Sequence, residues 1–233
     1  MLPSHVALIS QSKSVSVADL TNTAAAVQKQ IARDFAPVWT VNATISVFAS
    51  RKDVPIGYWV VTVCDDTGDL TEGVHKDEHG QPYSLVQYAD TWTMGVSHEC
   101  LEMLADPFCC RVVAGQSPKS NQGRVAFLVE ICDPCQDPAF SYTVNGVTVS
   151  DFITPQFFDP VQAQGVRYSQ TGKVAGPRQV LKNGYLSWHD LATNHWWQMR
   201  FFGPEIDFAD LGVIRQTTGG LREAVDSVTP RAR

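Results

Sequence analysis

Long apolar runs are missing from this chain of 233 residues, and with them any segment of the roughly 20 apolar residues that a membrane-spanning helix needs. The opening residues, Met1-Leu2-Pro3-Ser4-His5-Val6, lack both a basic start and a long apolar core, so no signal peptide is expected. Clusters of lysine and arginine are missing too. With a formal net charge of −6, the chain has nothing to neutralise a phosphate backbone, and the short tail Pro230-Arg231-Ala232-Arg233 does not change that; a general nucleic-acid binder is excluded. No internal repeat is visible, which sets aside solenoids and propellers. Cysteine is sparse, with six residues that do not demand a disulfide scaffold. Without a leader, a reducing setting is expected, either cytoplasmic or virion-associated. What is present in quantity is apolar side chain, 44% of the residues, enough to bury a sizeable core in one large domain or in a domain with an appendage.

The chain opens with a short strand over Val6 to Ile9. Ser16-Val17-Ala18-Asp19 then reads as a helix start, and Leu20, Ala24, Val27, Ile31 and Phe35 keep helical spacing until Pro37 is expected to stop the run. Alternation at Trp39, Val41, Ala43, Ile45 and Val47 predicts one strand, and the Val-rich run Tyr58 to Val63 predicts another. From Asp65 to Pro82 the composition turns polar and Gly-containing, which predicts a long loop. That loop carries His75 and His79, read as solvated histidines, with a substrate-contacting or metal-gating loop as the functional alternative. Tyr83 to Tyr88 is the next strand. Arg124 to Ile131 reads as a buried strand, and Tyr142 to Val149 as a hairpin turning at Asn145-Gly146. From Thr154 onward Gly, Pro, Gln and aromatic residues predict irregular structure and short strands packed on the main sheet, and the stretch from Thr217 is expected to be loosely ordered.

The most chemistry per residue lies between Thr91 and Pro107. On a helix His98, Glu102 and Asp106 share one stripe, flanked by apolar stripes of Met94, Leu101 and Leu104 and of Val96, Cys100 and Met103. Burying that stripe costs free energy unless its groups pair or bind a cation. A carboxylate at Asp106, in the last turn, also opposes the helix dipole, a cost that a metal ion relieves. His98-Glu99-x-x-Glu102 differs from the zinc-protease pattern His-Glu-x-x-His only at the second ligand position. Residues four apart can grip one ion, and Glu99, about 100° round the helix, can act as general base on a metal-bound water. A third ligand is expected from downstream: Glu130 and Asp133 end a strand among apolar residues. Asp106 is the alternative, as a ligand or as an acceptor that orients His98. One histidine with several carboxylates is a hard ligand set, so calcium and manganese stand beside zinc. Cys132-x-x-Cys135 is a candidate redox pair, local disulfide, or half of a structural zinc site completed by Cys109 and Cys110.

Ser97-His98-Glu99-Cys100-Leu101-Glu102-Met103-Leu104-Ala105-Asp106-Pro107, with Val129 to Asp133, Val144 to Phe152 and Gln30 to Trp39, resembles a group of uncharacterised bacterial and phage metallopeptidase-like proteins with a Ser-His-Glu-x-x-Glu-x-x-x-Asp-Pro motif. It is more loosely similar to exordium-like proteins. The resemblance covers roughly residues 15 to 160 and leaves the C-terminal third aside. The expected fold is α+β: a zincin-like half-domain over 1–160, built as helix, mixed sheet with an edge strand, and active-site helix, followed by a β-rich, irregular extension over 161–233 that is read from composition alone. The resemblance implies a zincin-like metal site at His98 and Glu102 with Glu99 as base, zinc being favoured by analogy with the motif; the first functional expectation is a metal-dependent hydrolase, acting on a peptide or protein. The alternative is a structural or interaction protein, for example a virion component with assembly partners and an inert ion.

Overall fold

A computed structural model of the chain describes residues 3–68, 72–215 and 221–229. The fold is mixed α+β and rich in strand. Two compact units form. The first comprises Met1–Pro107 and Ser141–Ser150, the second Phe108–Phe140 and Asp151–Arg233. The division therefore does not fall at residue 160. Residues 108–140 supply strands to the second unit's sheet, and the hairpin at 141–150 returns to the first.

In the first unit, β1 (Ser4–Ser10), β2 (Ala43–Val47), β3 (Trp59–Cys64), β4 (Gly73–Glu78) and β5 (Gln81–Gln87) make one sheet in the order β2-β1-β3-β5-β4. β1 is parallel to β2 and β3, and β3 to β5; only β4 runs antiparallel. The Val-rich runs of β1 and β3 suit strands covered on both faces. Ala7, Ile9 and Val60 are packed by Phe48, Val54 and Tyr58 from the following loop. Helix α1 (Val17–Gln30) starts at Ser16, whose Oγ accepts from the Asp19 N–H and donates to the Asp19 carboxylate.

Pro37 does not end the helical run. A π-turn over Ile31–Phe35 leads into α2 (Ala36–Trp39), where Pro37 sits in the first turn, the position at which a missing N–H costs nothing. Trp39 is thus helical, and the strand expected from it begins only at Ala43.

The stretch expected to be a long loop, 65–82, contains β4. His79 and Gly80 both have positive φ, 55° and 81°, and form the two-residue turn that joins β4 to β5. The edge of the sheet is therefore β4, and β5, the strand nearest in sequence to the motif helix, is internal. Helix α3 (Trp92–Ala105) packs on this pair. Gly95 lets it approach, since a Cβ there would meet Val86 Cγ1 at 2.9 Å, and Ser84 Oγ donates to Met103 Sδ at 3.5 Å.

β8 (Tyr142–Val144) and β9 (Val147–Val149) form the expected hairpin, with Asn145 and Gly146 at φ 52° and 80°. It is tied to α1 and α3 by a buried polar chain. Ser97 Oγ donates to Gln30 Oε1 at 2.7 Å and accepts from the Ser150 N–H at 3.0 Å. Gln30 Nε2 reaches the Ser150 carbonyl and the Tyr142 hydroxyl, which donates to Asp34.

In the second unit, β6 (Val112–Gln116), β7 (Arg124–Leu128), β10 (Tyr185–Asp190), β11 (His195–Arg200) and β12 (Asp207–Gly212) form an antiparallel sheet in the order β12-β11-β10-β7-β6. The aromatic strands of the C-terminal third thus share one sheet with β6 and β7. Residues 151–184 between them are irregular, as the Gly and Pro content suggests. Asp151 organises this stretch, accepting from the N–H groups of Phe152 and Thr171 and from the Thr171 hydroxyl. Of the tail from Thr217, expected to be loosely ordered, Leu221–Asp226 form helix α4, whose Val225 is buried with Leu128 and Trp196. The remaining residues from 217 lie outside the described ones, apart from 227–229. Among the described residues no helix is long and apolar enough to cross a membrane.

Candidate metal centre

α3 turns its polar stripe inward. His98, Glu99, Glu102 and Asp106 are 8%, 3%, 0% and 2% exposed, so the stripe is buried, where its groups need partners or a cation. The stripe is met by a residue from the sheet. On β4, His75 pairs with Ser84 and shares its face, which puts the imidazole over α3 at 1% exposure. His75 is therefore neither a solvated histidine nor part of a substrate loop. His79, in the β4–β5 turn, is exposed and has no part in the cluster.

The distances are those of a ligand cage. Glu102 Oε2 lies 3.4 Å from His98 Nε2 and 3.7 Å from His75 Nδ1. Two ligand atoms bound tetrahedrally at 2.0–2.1 Å stand about 3.4 Å apart, so each pair leaves a cation's spacing. Glu99 spans the same two imidazoles, with Oε2 at 3.7 Å from His75 Nδ1 and Oε1 at 3.9 Å from His98 Nε2. Glu99 Oε2 is buried without a hydrogen-bond partner. Against Glu99 stands Gly73, where a Cβ would lie 2.6 Å from Oε1, so the carboxylate occupies the room a side chain would take.

The His75 ring is oriented by the end of α3. Its Nε2 lies 3.2 Å from the Asp106 backbone carbonyl, which can only accept, so Nε2 carries the proton. Nδ1 then faces the two glutamates. Metal-binding histidines are commonly held in this way by a backbone carbonyl. Asp106 therefore does orient a histidine, through its main chain, and that histidine is His75.

The described residues include clusters of His, Glu and Asp that could hold a metal ion; His75, His98 and Glu102 take part, and Glu102 is common to them. Burial pushes the Cys100 thiol up to about 12, so it stays protonated and is no ligand.

Glu130 and Asp133 lie in the second unit, both buried. The Arg222 guanidinium, itself 3% exposed, bonds Glu130 Oε2 and, at 3.0 Å, Asp226 Oδ2, so Glu130 has a counter-charge from its own unit. Asp133 opens a short turn, Asp133–Cys135, and hydrogen bonds with Tyr185. Burial, with Asp133 second, holds the Tyr185 hydroxyl well above the ordinary tyrosine value. Cys109, Cys132 and Cys135 are buried and Cys110 is exposed.

For His75, named in the sequence only as part of a loop, the strand that carries it is what sequence reasoning missed. Its signal was the His79-Gly80 pair, a turn that left-handed-tolerant residues allow, flanked by Val74 and by Tyr83 to Val86; a hairpin there puts His75 and Ser84 opposite each other. No family model, no curated protein and no solved structure matches the chain.

Proposed function

We propose that this chain is a metal-dependent hydrolase, most simply a zinc peptidase, with its chemistry on α3. The observation that carries the reading is the orphaned Glu99 oxygen. A carboxylate 3% exposed, with one oxygen lacking a donor and the other 3.9 Å from an imidazole, is costly to keep unless it accepts a proton in the reaction. His98 and Glu102 hold the ion, as their four-residue spacing suggests; zinc follows from the motif resemblance, and manganese or calcium suits the carboxylate content. When bound, the ion supplies Lewis-acid polarisation of a carbonyl oxygen. Glu99 takes the proton of the attacking water and passes it to the leaving amine. The outer edge of β4 is where an extended peptide would pair, strand against strand. The setting is cytoplasmic or virion-associated.

The test is Glu99→Gln in the full chain. Metal content is expected to stay at the wild-type level while cleavage of a peptide library is lost; cleavage at the wild-type rate removes Glu99 from the reaction.

A second reading, a structural or interaction protein such as a virion component, is favoured by the exposed Leu191, Ile206, Phe208 and Val213 on and beside β10 to β12. Under that reading chelation lowers the melting temperature without changing any activity, and the chain copurifies stoichiometrically with an assembly.

A further inference from the structure

Resting on the same reading of α3 as a metal-binding helix, we infer that the centre holds two divalent cations bridged by Glu102, the second of them taken by His75 of β4. A single-ion site needs only His98 and Glu102 from this unit. It leaves unexplained why a second histidine is buried at the same oxygen.

Three observations support a second position. First, Glu102 Oε2 faces two imidazole nitrogens at similar distances, 3.4 Å to His98 and 3.7 Å to His75, and each separation is that of two ligands sharing one cation. Second, His75 Nε2 donates to the Asp106 carbonyl, so Nδ1 turns toward Glu99 Oε2 and Glu102 Oε2, both at 3.7 Å, a separation that leaves room for a cation between imidazole and carboxylate. Third, Glu99 Oε2, buried without a hydrogen-bond partner in a side chain 3% exposed, faces the same position 3.7 Å from His75 Nδ1, where it accepts a proton beside the ion rather than serving as its ligand.

Charge points the same way. Glu99 and Glu102 bring two carboxylates, 3% and 0% exposed, against the two imidazoles, and divalent ions offset that buried charge. Paired ions roughly 3.5–4 Å apart stabilise both the attacking and the leaving atoms of a displacement, and Glu99 stands between the two histidines that would hold them. The second ion would also tie the edge strand to the motif helix.

The experiment uses the full chain, stripped with a chelator and titrated with Zn2+, with stoichiometry read by elemental analysis and calorimetry. Wild type is expected to take two equivalents, and His75→Gln and His98→Gln one each. Glu102→Gln should retain less than one. Zinc-edge absorption of the wild type should show a metal–metal distance near 3.5 Å, about the lower limit for such pairs, which His75→Gln abolishes. Thermal melts of the stripped proteins establish that each variant folds. If a variant does not, nitrogen NMR of the wild-type imidazoles decides, since His75 Nδ1 must shift to a metal-bound value on the second equivalent. One equivalent in wild type, kept by His75→Gln, overturns the second ion and leaves the hydrolase reading standing. One equivalent lost by either histidine variant means a single ion shared by both, and also overturns it. No zinc in wild type overturns both readings.

Discussion

Gly73→Ala separates proton transfer from metal binding by steric means alone. Gly73 lies on β4 opposite Val86, and its φ is not positive, so alanine suits its backbone. The added Cβ would meet Glu99 Oε1 at 2.6 Å, Cγ at 3.0 Å and Cδ at 3.1 Å. Ordinary contact begins at about 3.5 Å, so the carboxylate must retreat by roughly 0.5–1 Å. Relief of glycine's excess chain entropy contributes about 0.5–1 kcal/mol, against about 1–3 kcal/mol for overpacking, and the net loss of stability stays below about 2.5 kcal/mol. A displaced general base is a larger penalty: misplacement of this size costs on the order of 10²-fold in rate, or about 2.7 kcal/mol of barrier. The nearest atoms to the new methyl all belong to Glu99, so His98 and Glu102 keep their places and the metal is retained. Melting temperature, bound metal and turnover of a peptide library measure the three quantities. Unchanged turnover refutes the placement of Glu99 in the reaction, and loss of metal together with turnover refutes its separation from the ligands.

Other outcomes follow from the surrounding structure. Arg222→Ala leaves Glu130 buried without its guanidinium and should destabilise the protein by about 3–5 kcal/mol, read by chemical denaturation; a change under 1 kcal/mol would show the pair to be nearly neutral. Ser97→Ala removes hydrogen bonds to Gln30 and Ser150 at about 1–3 kcal/mol, and hydrogen exchange should rise across 141–150 before it rises in β1 and β3. Burial, opposed by the Thr171 and Phe152 donors, raises the Asp151 carboxyl above its ordinary 3.8. The folded state then holds that proton to higher pH than the unfolded chain, so this group's contribution to stability is fully present below 3.8 and is lost as pH rises through the folded value. Asp151→Asn should flatten that slope in denaturation curves taken across the acid range. Alkylation of the native protein at mildly alkaline pH should label exposed Cys110 and spare Cys100, whose thiol is pushed up to about 12; labelling of Cys100, read by peptide mapping, would place it outside the core.

The motif helix was legible because one periodicity served two purposes: apolar residues at helical spacing marked α3, and the same spacing aligned His98 with Glu102. The Asn145-Gly146 hairpin was legible because its turn demands two left-handed residues. β4 was not, because a short edge strand carrying Lys76, Asp77 and Glu78 has the composition of a loop, and charged residues are what edges use to resist pairing. Missing β4 meant missing where His75 points, since only pairing with β5 turns that residue inward. Pro37 misled for a related reason: a proline ends a helix in the interior of a turn but is accepted at its start, and the π-turn before it supplies a new start. The C-terminal sheet escaped because its partner strands, β6 and β7, precede it in sequence by more than fifty residues, and such pairing leaves no local pattern.

The hairpin at 141–150 has a consequence for how the protein is made. Ser97 waits for a partner 53 residues further along, so α3 has left the ribosome before the segment that seals it has been synthesised. At about 5–20 residues per second that interval lasts roughly 3–10 s, during which Ser97 and Gln30 have solvent where the hairpin will later stand.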